Sequence, residues 1–195
     1  REAFSKAQEA WKALTGADGF YGQWGGWNLH RPSEACIIAF WRNQNAYNQF
    51  MSSLHDTIFQ ANQQQHTYRS ITVTVAEAAI EIPGSRDIAR ALTAKWLRAA
   101  DCKVDPKREQ HFLKVQQTVW NPALKQSAGM LGAVAAKVNQ PACRYQIFSF
   151  WEEKEAHQQY IKSVPLLRQQ AGTDRDTTSV IGYFVERNER WLVMV

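Results

Sequence analysis

The sequence has few of the features that would identify a function directly. Its 195 residues include only three cysteines, Cys36, Cys102 and Cys143, which lack the close spacing of a zinc site or a disulfide framework. A sparse, odd number of cysteines is typical of the reducing cytosol, so we expect a cytoplasmic protein with inert thiols. No apolar run approaches the roughly 18 residues of a transmembrane helix, and no secretory signal is visible, so no membrane association is expected.

Common catalytic and nucleotide-binding motifs are also absent. The chain contains no GxGxxG, Walker loop, serine nucleophile elbow or HExxH, so motifs predict neither a metal site nor a cofactor site. The formal net charge is +5 and the pI is about 9.2, but basic residues are interspersed with acids, as in "DPKREQ". This distribution indicates an ordinary solvated surface and no nucleic-acid partner.

What the sequence does contain is an internal repeat. "GFYG" at 19–22 is similar to "GMLG" at 129–132. "IIAFWRNQNAYNQF" at 37–50 is similar to "IFSFWEEKEAHQQY" at 147–160. Both pairs are separated by the same 110 positions, from 19 to 129 and from 37 to 147, so chance similarity is a poor explanation.

The repeat predicts two related domains. We predict a first repeat over 1–82, a linker over 83–95 and a second repeat over 96–195, because Pro83 and Gly84 interrupt the pattern in "IPGSRD". Hydrophobic spacing predicts a helix, two strands after the glycine pair, a second helix and a last strand. The predicted strands are 20–29, 35–41, 71–75, 96–104, 130–138, 145–151 and 179–185.

The element order is that of a ferredoxin-like unit, β-α-β-β-α-β. The first repeat begins at its helix, so we expect its first strand to lie N-terminal to Arg1. Such a unit covers one sheet face with helices and must bury the other face. The predicted fold class is α+β, with two tandem ferredoxin-like repeats packed sheet to sheet as an intramolecular α+β barrel.

A tryptophan pattern recurs after the second strand of each repeat. An aromatic residue and a tryptophan precede a short polar turn, an alanine and a helical aromatic residue. These residues are Phe40, Trp41, Ala46 and Phe50, and then Phe150, Trp151, Ala156 and Tyr160. The pattern resembles the dimeric α+β barrel monooxygenases, and the tandem form, with "GGWN" and "VWNP" in its two halves, resembles a small bacterial family of YdbC-like proteins.

This resemblance implies a set of activities. The superfamily includes cofactor-free quinol and polyketide monooxygenases as well as haem-degrading enzymes. The haem degraders carry a histidine at positions that correspond to Gln60 and Gln170 here, so their usual residues are not matched. The resemblance therefore predicts no cofactor, and haem binding stays open as an alternative.

The stretch "QWGGWN" at 23–28 is the part of the first repeat that the second repeat does not share. In a regular strand Trp24 and Asn28 share one face and Trp27 lies on the other, unless a bulge at Gly25–Gly26 re-aims one indole. We expect one indole to face the interior, with room left by the glycines and the Asn28 amide as an anchor. This arrangement suits a flat aromatic ligand. Two further ligand-binding residues are expected from the second repeat: Trp120 and Asn121.

His55 is the candidate catalytic residue. At helical spacing it borders apolar positions, and Asp56 follows it, so a carboxylate could hold it as a general base. The alternative is a histidine at the edge of the core, satisfied by a backbone carbonyl. The remaining histidines are expected at the surface: His30, His66, His111 and His157.

Two details of the second repeat are also predicted. Asp101 either faces inward with a raised pKa or faces outward and pairs with Arg98 or Lys103. Pro122 is expected to end or bend the first helix of that repeat.

We therefore expect a monooxygenase-like barrel that binds a small aromatic, quinol-like or polyketide-like compound. The alternatives are a non-catalytic binding or stress-response barrel, with a lumen filled by side chains, and a haem-binding protein. The expected partner is a small-molecule ligand, without nucleic acid or membrane, and the protein is expected to be a monomer or a homodimer.

Overall fold

The computed structural model describes residues 1–80 and 87–195. They form two compact units: unit 1 comprises residues 1–73 and 185–195, and unit 2 comprises residues 74–184. The predicted break at "IPGSRD" lies, apart from Asp87, outside the described residues. The predicted repeats are defined by sequence similarity, whereas the two units are defined by spatial contacts. The units therefore do not test the predicted repeat boundaries, and the division into repeats stays a prediction.

Helices and strands are interspersed along the chain. The helices are α1 (Glu2–Gln8), α2 (Gln44–Ser53), α3 (His55–Asn62), α4 (Ile88–Leu92), α5 (Glu109–Val115), α6 (Asn121–Gln126) and α7 (Lys154–Ala171). The strands are β1 (Phe20–Asn28), β2 (Ala35–Trp41), β3 (Ala76–Ile80), β4 (Trp96–Val104), β5 (Met130–Val138), β6 (Arg144–Trp151), β7 (Thr177–Arg187) and β8 (Val193–Met194). A 3₁₀ helix, Glu9–Gly16, follows α1, and a π-helical turn, Gln116–Trp120, joins α5 to α6.

The described strand pairs are antiparallel in both units. In unit 1, β1 pairs with β2, with residues 185–187 of β7 and with β8. In unit 2 the strand order is β7–β4–β6–β5–β3, to which β7 contributes its residues up to 184. These antiparallel sheets, together with the helices, confirm the predicted α+β class.

One predicted strand, at 71–75, is wrong. The alternation of Ile71 and Val73 does not form a strand, and these side chains are 66% and 68% exposed. The strand is β3, which starts at Ala76 and pairs with β5 in unit 2. Pro122 lies in the first turn of α6, where its missing N–H is not needed, and a π-helical turn interrupts the α-helix immediately before α6.

The turn before the β-hairpin is built in the same way in both units. Gly19 and Gly129 have φ angles of +73° and +75°, a left-handed conformation that favours glycine. A Cβ on either residue would lie 2.7 Å from an alanine Cβ, that of Ala46 or Ala156. The strand register shifts just after each glycine. The sequence repeat therefore reappears as repeated local geometry.

The first hairpin is regular along its glycine-rich stretch. Pairing between β1 and β2 runs without a shift from Gly22 to Trp27, so of the two alternatives regular alternation holds and there is no bulge at Gly25–Gly26. Regular alternation puts Trp24 and Asn28 on one face of β1 and Trp27 on the other. These faces decide which side chains of the glycine-rich stretch can approach a ligand.

Candidate functional site

The two indoles of the glycine-rich strand have different surroundings. Trp24 is 0% exposed and belongs to the core. Trp27, on the opposite face of β1, packs edge-on against Trp191 and Phe4 at ring-centroid distances of 4.9 and 5.8 Å. The Arg1 guanidinium lies 4.4 Å from the centre of the Trp27 ring. Only Trp27 keeps part of its surface open to solvent.

The glycines beside these indoles admit neighbouring parts of the chain. A Cβ on Gly26 would lie 1.8 Å from the carbonyl oxygen of Glu186 on β7. A Cβ on Gly25 would lie 3.0 Å from the Trp191 ring. The expectation that the glycines leave room for a ligand is therefore wrong, because their missing side chains let β7 and Trp191 approach β1.

Asn28 is buried and its amide is engaged within the chain. Its Nδ2 donates to Glu34 Oε2 at 2.6 Å, and its Oδ1 accepts from the His30 N–H at 3.1 Å. These bonds hold the turn between β1 and β2. A groove of about 530 Å³ opens beside Trp27 and Asn28, a volume within the usual range for ligand sites. The groove is also lined by Arg1, Leu29, Pro32 and residues 186–190.

Trp120 and Asn121 lie in unit 2, where the π-helical turn meets α6. Trp120 is partly exposed, and Asn121 is 1% exposed. The Asn121 Oδ1 accepts from Gln116 Nε2 at 2.7 Å, and its Nδ2 has no hydrogen-bond partner among the described residues. Of the predicted ligand-binding residues, Trp27 and Asn28 therefore meet at the groove of unit 1.

His55 begins α3, and its geometry suits the predicted chemistry. Its Nδ1 lies 2.8 Å from Asp56 Oδ1. When Nδ1 carries the ring proton it donates to this carboxylate, and Nε2 is left with the lone pair that a general base needs. The His55 side chain is 27% exposed, so a ligand can reach it from solvent.

Three aromatic rings surround the His55 imidazole. Phe59 stacks on it at 5.7 Å with an interplanar angle of 16°. Phe50 meets it edge-on at 5.6 Å, and Trp11 lies at 5.5 Å. We call these rings, His55 and Asp56 the His55 cluster. The cluster combines flat apolar surfaces with a group that can accept a proton.

His111 is partnered more closely than a surface residue would be. His30 and His66 are exposed, as predicted. The His111 Nδ1, however, lies 2.7 Å from Oδ2 of Asp176, which is fully buried and also accepts from Arg108 Nε at 3.0 Å. Sequence reasoning missed this arrangement because Asp176 is distant along the chain.

His157, on α7, is buried, so its predicted surface position is wrong. It is 7% exposed, stacks on Phe184 at 4.5 Å and meets Trp151 edge-on at 5.4 Å. Burial lowers the pKa of His157 to about 4, and the nearby Arg98 charge adds to the effect. Its Nε2 has no hydrogen-bond partner among the described residues. The adjacent Ala156, part of the repeated pattern, is the sequence signal that this helical turn faces the sheet.

Arg98 and Tyr160 lie close to His157 in unit 2. The Arg98 Nη1 donates to the backbone carbonyls of Ala99 and Tyr183. Desolvation lowers the pKa of Arg98 and raises that of Tyr160 to about 12, and the charge of Arg98 acts on both Tyr160 and His157. We call Arg98, His157 and Tyr160 the Arg98 cluster.

Asp101 is buried and pairs with Arg144, so both predicted environments are wrong. Its carboxylate accepts from Arg144 Nε at 2.8 Å and Nη2 at 2.5 Å, and from Gln146 Nε2 at 3.0 Å. The bond from Arg144, followed by the bond from Gln146, outweighs burial and lowers the pKa of Asp101. The residue is therefore an ion-paired structural acid.

The described residues do not bring together metal ligands. Within 1–80 and 87–195, no three His, Cys, Asp or Glu side chains are arranged to hold a metal ion. Burial raises the pKa of Cys36 to about 12 and that of Cys102 to about 11, so both thiols stay protonated. None of the helices in these parts of the chain is long and apolar enough to span a membrane.

Known structures share this fold across nearly the whole chain. Two structures of a "putative monooxygenase", from Lactobacillus acidophilus NCFM and Fusobacterium nucleatum subsp. nucleatum, have TM-scores of 0.67 and 0.71. They cover 99% and 96% of this chain and 88% and 85% of their own, at 12% and 9% identity. An anthrone oxidase-like protein has a TM-score of 0.63 at 14% identity and covers 97% of this chain and 86% of its own. The chain therefore shares the α+β fold of these proteins.

Sequence similarity is found in the N-terminal part. Residues 1–76 match a family described as a domain of unknown function (DUF4937). The "Uncharacterized protein YdbC" of Bacillus subtilis (strain 168) is 46% identical over 78 residues, which are 39% of this chain. This match spans 66% of the relative, slightly less than two thirds of its length. Both matches support a YdbC-like relationship.

Proposed function

We propose that this protein is a YdbC-like monooxygenase that oxidises a small phenolic, quinol-like or anthrone-like compound with O₂. The His55 cluster is the proposed site, and no metal or organic cofactor takes part. The observation that carries the proposal is the 2.8 Å contact between His55 Nδ1 and Asp56, which leaves Nε2 as a proton acceptor among aromatic rings. The monooxygenase-like fold supports this reaction class.

The first step is removal of a proton from the substrate. The His55 Nε2 accepts the proton, and the Asp56 carboxylate, 2.8 Å from Nδ1, holds the ring in the orientation that this transfer needs. Phe59 and Trp11 offer flat apolar surfaces on which an aromatic substrate can lie. General-base assistance of this kind contributes about 10²- to 10⁴-fold to the rate.

The deprotonated substrate then supplies the electrons for O₂. With an anthrone-like substrate, the carbon that lost the proton bonds to O₂, and the resulting peroxide takes that proton back from His55 and becomes a hydroperoxide. The O–O bond breaks and water leaves, so the CH₂ group becomes a carbonyl. One oxygen atom enters the product and the other enters water, and both hydrogens of that water trace to the CH₂ group. No external reductant is needed.

We also propose that the chain arose by duplication of a ferredoxin-like unit and works in the cytoplasm as a monomer or homodimer. The matching glycine turns at Gly19 and Gly129 support the duplication. In this view unit 1 carries the base, because the position 110 residues after His55 is Pro165.

Oxygen consumption by purified variants tests this function. With anthrone and substituted hydroquinones as substrates, His55→Ala should lower kcat/KM by about 10²-fold or more. Asp56→Asn should lower it less, because it keeps the base but weakens its orientation. His66→Ala is the matched control, since His66 is exposed and lies outside the cluster. Equal rates in His55→Ala and wild type would exclude His55 as the base.

Non-catalytic binding is the second candidate, and the groove beside Trp27 favours it. The groove has a volume of about 530 Å³, and His55 is not among its lining residues. If the protein only binds its ligand there, Trp27→Ala should weaken binding, and wild type should consume no O₂ with the bound compound.

A further inference from the structure

Arg98 is a half-buried cation for which the described residues supply no acidic partner. In the described parts of the chain no carboxylate lies within ion-pair distance of its guanidinium. Its Nη1 donates only to backbone carbonyls, those of Ala99 and Tyr183. A guanidinium has five N–H donors, so most of its hydrogen-bonding capacity is left for another group.

The neighbouring titratable groups do not neutralise this charge. His157 is neutral at physiological pH, and burial keeps the Tyr160 and Cys102 side chains protonated. Taking a cation out of water is costly unless an anion or several strong acceptors replace the lost hydration. Arg98 therefore has the charge and the open donors that an anionic ligand would satisfy.

Aromatic rings flank the same position. Trp96 and Phe184 stack at 5.3 Å with an interplanar angle of 13°, and His157 stacks on Phe184 at 4.5 Å. The His157 Nε2 is buried and has no hydrogen-bond partner in the described structure. Trp96 is partly exposed, so the stack has an edge open to solvent.

We propose that the Arg98 cluster of unit 2 is a binding site for a planar aromatic carboxylate. The Arg98 fork matches the two oxygens of a carboxylate, which gives the short, paired hydrogen bonds that arginine forms with this group. The ligand ring lies against the partly exposed Trp96 indole, two residues from Arg98 on the same face of β4. This site is separate from the His55 cluster, and neither proposal depends on the other.

Gly182 on β7 makes room for the guanidinium. A Cβ at this position would lie 2.7 Å from Arg98 Nη2 and 3.1 Å from Cζ. A methyl group at this position would displace the Arg98 guanidinium without removing its charge. Gly182→Ala is therefore a variant that tests position alone.

Calorimetric titration with 2-naphthoate and its uncharged analogue 2-naphthamide tests the proposal. Wild type should bind 2-naphthoate about tenfold or more tightly than 2-naphthamide. Arg98→Met should remove that preference. Lys103→Met is the matched control, because it loses one positive charge from an exposed position of the same strand. It should change the affinity less than about twofold.

The possible outcomes are distinct. The proposal is wrong if wild type binds neither compound, binds both equally, or keeps its preference for 2-naphthoate in Arg98→Met. If Arg98→Met does not fold, as judged by circular dichroism, Gly182→Ala decides the question. It should weaken 2-naphthoate binding and leave 2-naphthamide binding unchanged.

Discussion

The histidines of this protein show how neighbouring groups decide the chemistry of one side-chain type. His55 is partly exposed and its Nδ1 lies 2.8 Å from an Asp56 carboxylate oxygen, so the ring is oriented by a carboxylate and can be reached from solvent. His157 is buried among aromatic rings near a cation, so protonation would create an uncompensated charge. The first can act as a base, and the second is set up to stay neutral.

His157 should make the stability of the fold depend on pH. Its pKa is about 4 when folded, against 6.5 for an ordinary histidine. Above pH 6.5 the ring is neutral in both states, and its environment carries no electrostatic penalty. As the pH falls from 6.5 to 4, the unfolded chain binds the proton first, so the free energy of unfolding decreases, by on the order of 2 kcal/mol.

His157→Phe should remove this part of the pH dependence, because phenylalanine cannot bind a proton. Urea unfolding at pH 7 and pH 4.5 measures the difference. His30→Phe is the control, since His30 is exposed. If the free energy of unfolding decreases between pH 7 and pH 4.5 as much in His157→Phe as in wild type, protonation of His157 is not the cause of the decrease.

Strand β1 shows how much an element depends on glycine. Gly26 is paired with Arg187 of β7, and a Cβ there would overlap the Glu186 carbonyl at 1.8 Å. Gly16, at the end of the 3₁₀ helix, has no atom within 4 Å of the corresponding position. The same substitution therefore has different consequences at two glycines of unit 1.

Gly26→Ala should separate β7 from β1 and lower the free energy of unfolding by about 3 kcal/mol. Gly16→Ala should change it by less than about 0.5 kcal/mol, because nothing must move. Urea unfolding of both variants measures the two effects. If Gly26→Ala is as stable as Gly16→Ala, the Glu186 carbonyl does not lie against Gly26.

The local elements could be predicted from the sequence, because their signals are short-range. The glycine turns, the hairpins and the helix after Asn43 all follow from residues within one element or its neighbour. The Asp56 contact of His55 was predictable for the same reason. The pairing of β3 with β5 could not be predicted in this way. The alternation at Ile71 and Val73 is typical of a strand, and only the structure shows that both side chains are exposed.

The Arg98 cluster depends on contacts between distant parts of the whole chain. Arg98, His157 and Phe184 come from β4, α7 and β7, and no spacing rule joins them. Asp101 was predicted to pair within its own strand, and its partner Arg144 comes from β6. Tertiary contacts of this kind decide which polar residues are buried, and periodicity alone does not reveal them.

The two units of the molecule carry different functional groups. Unit 1 holds a histidine–carboxylate pair among aromatic rings, and unit 2 holds a half-buried cation beside a neutral histidine. The proposed reaction needs only the first, and it requires that the substrate itself reduces O₂.

Mass spectrometry after turnover under ¹⁸O₂ tests that requirement most directly. The protein is first dialysed against a chelator and stripped of small molecules, and anthrone is the substrate. The account predicts that the ketone product gains one ¹⁸O atom, the other appears in water, and chelation leaves the rate unchanged. A product without ¹⁸O, or turnover that returns only when a metal or a flavin is added, would contradict it.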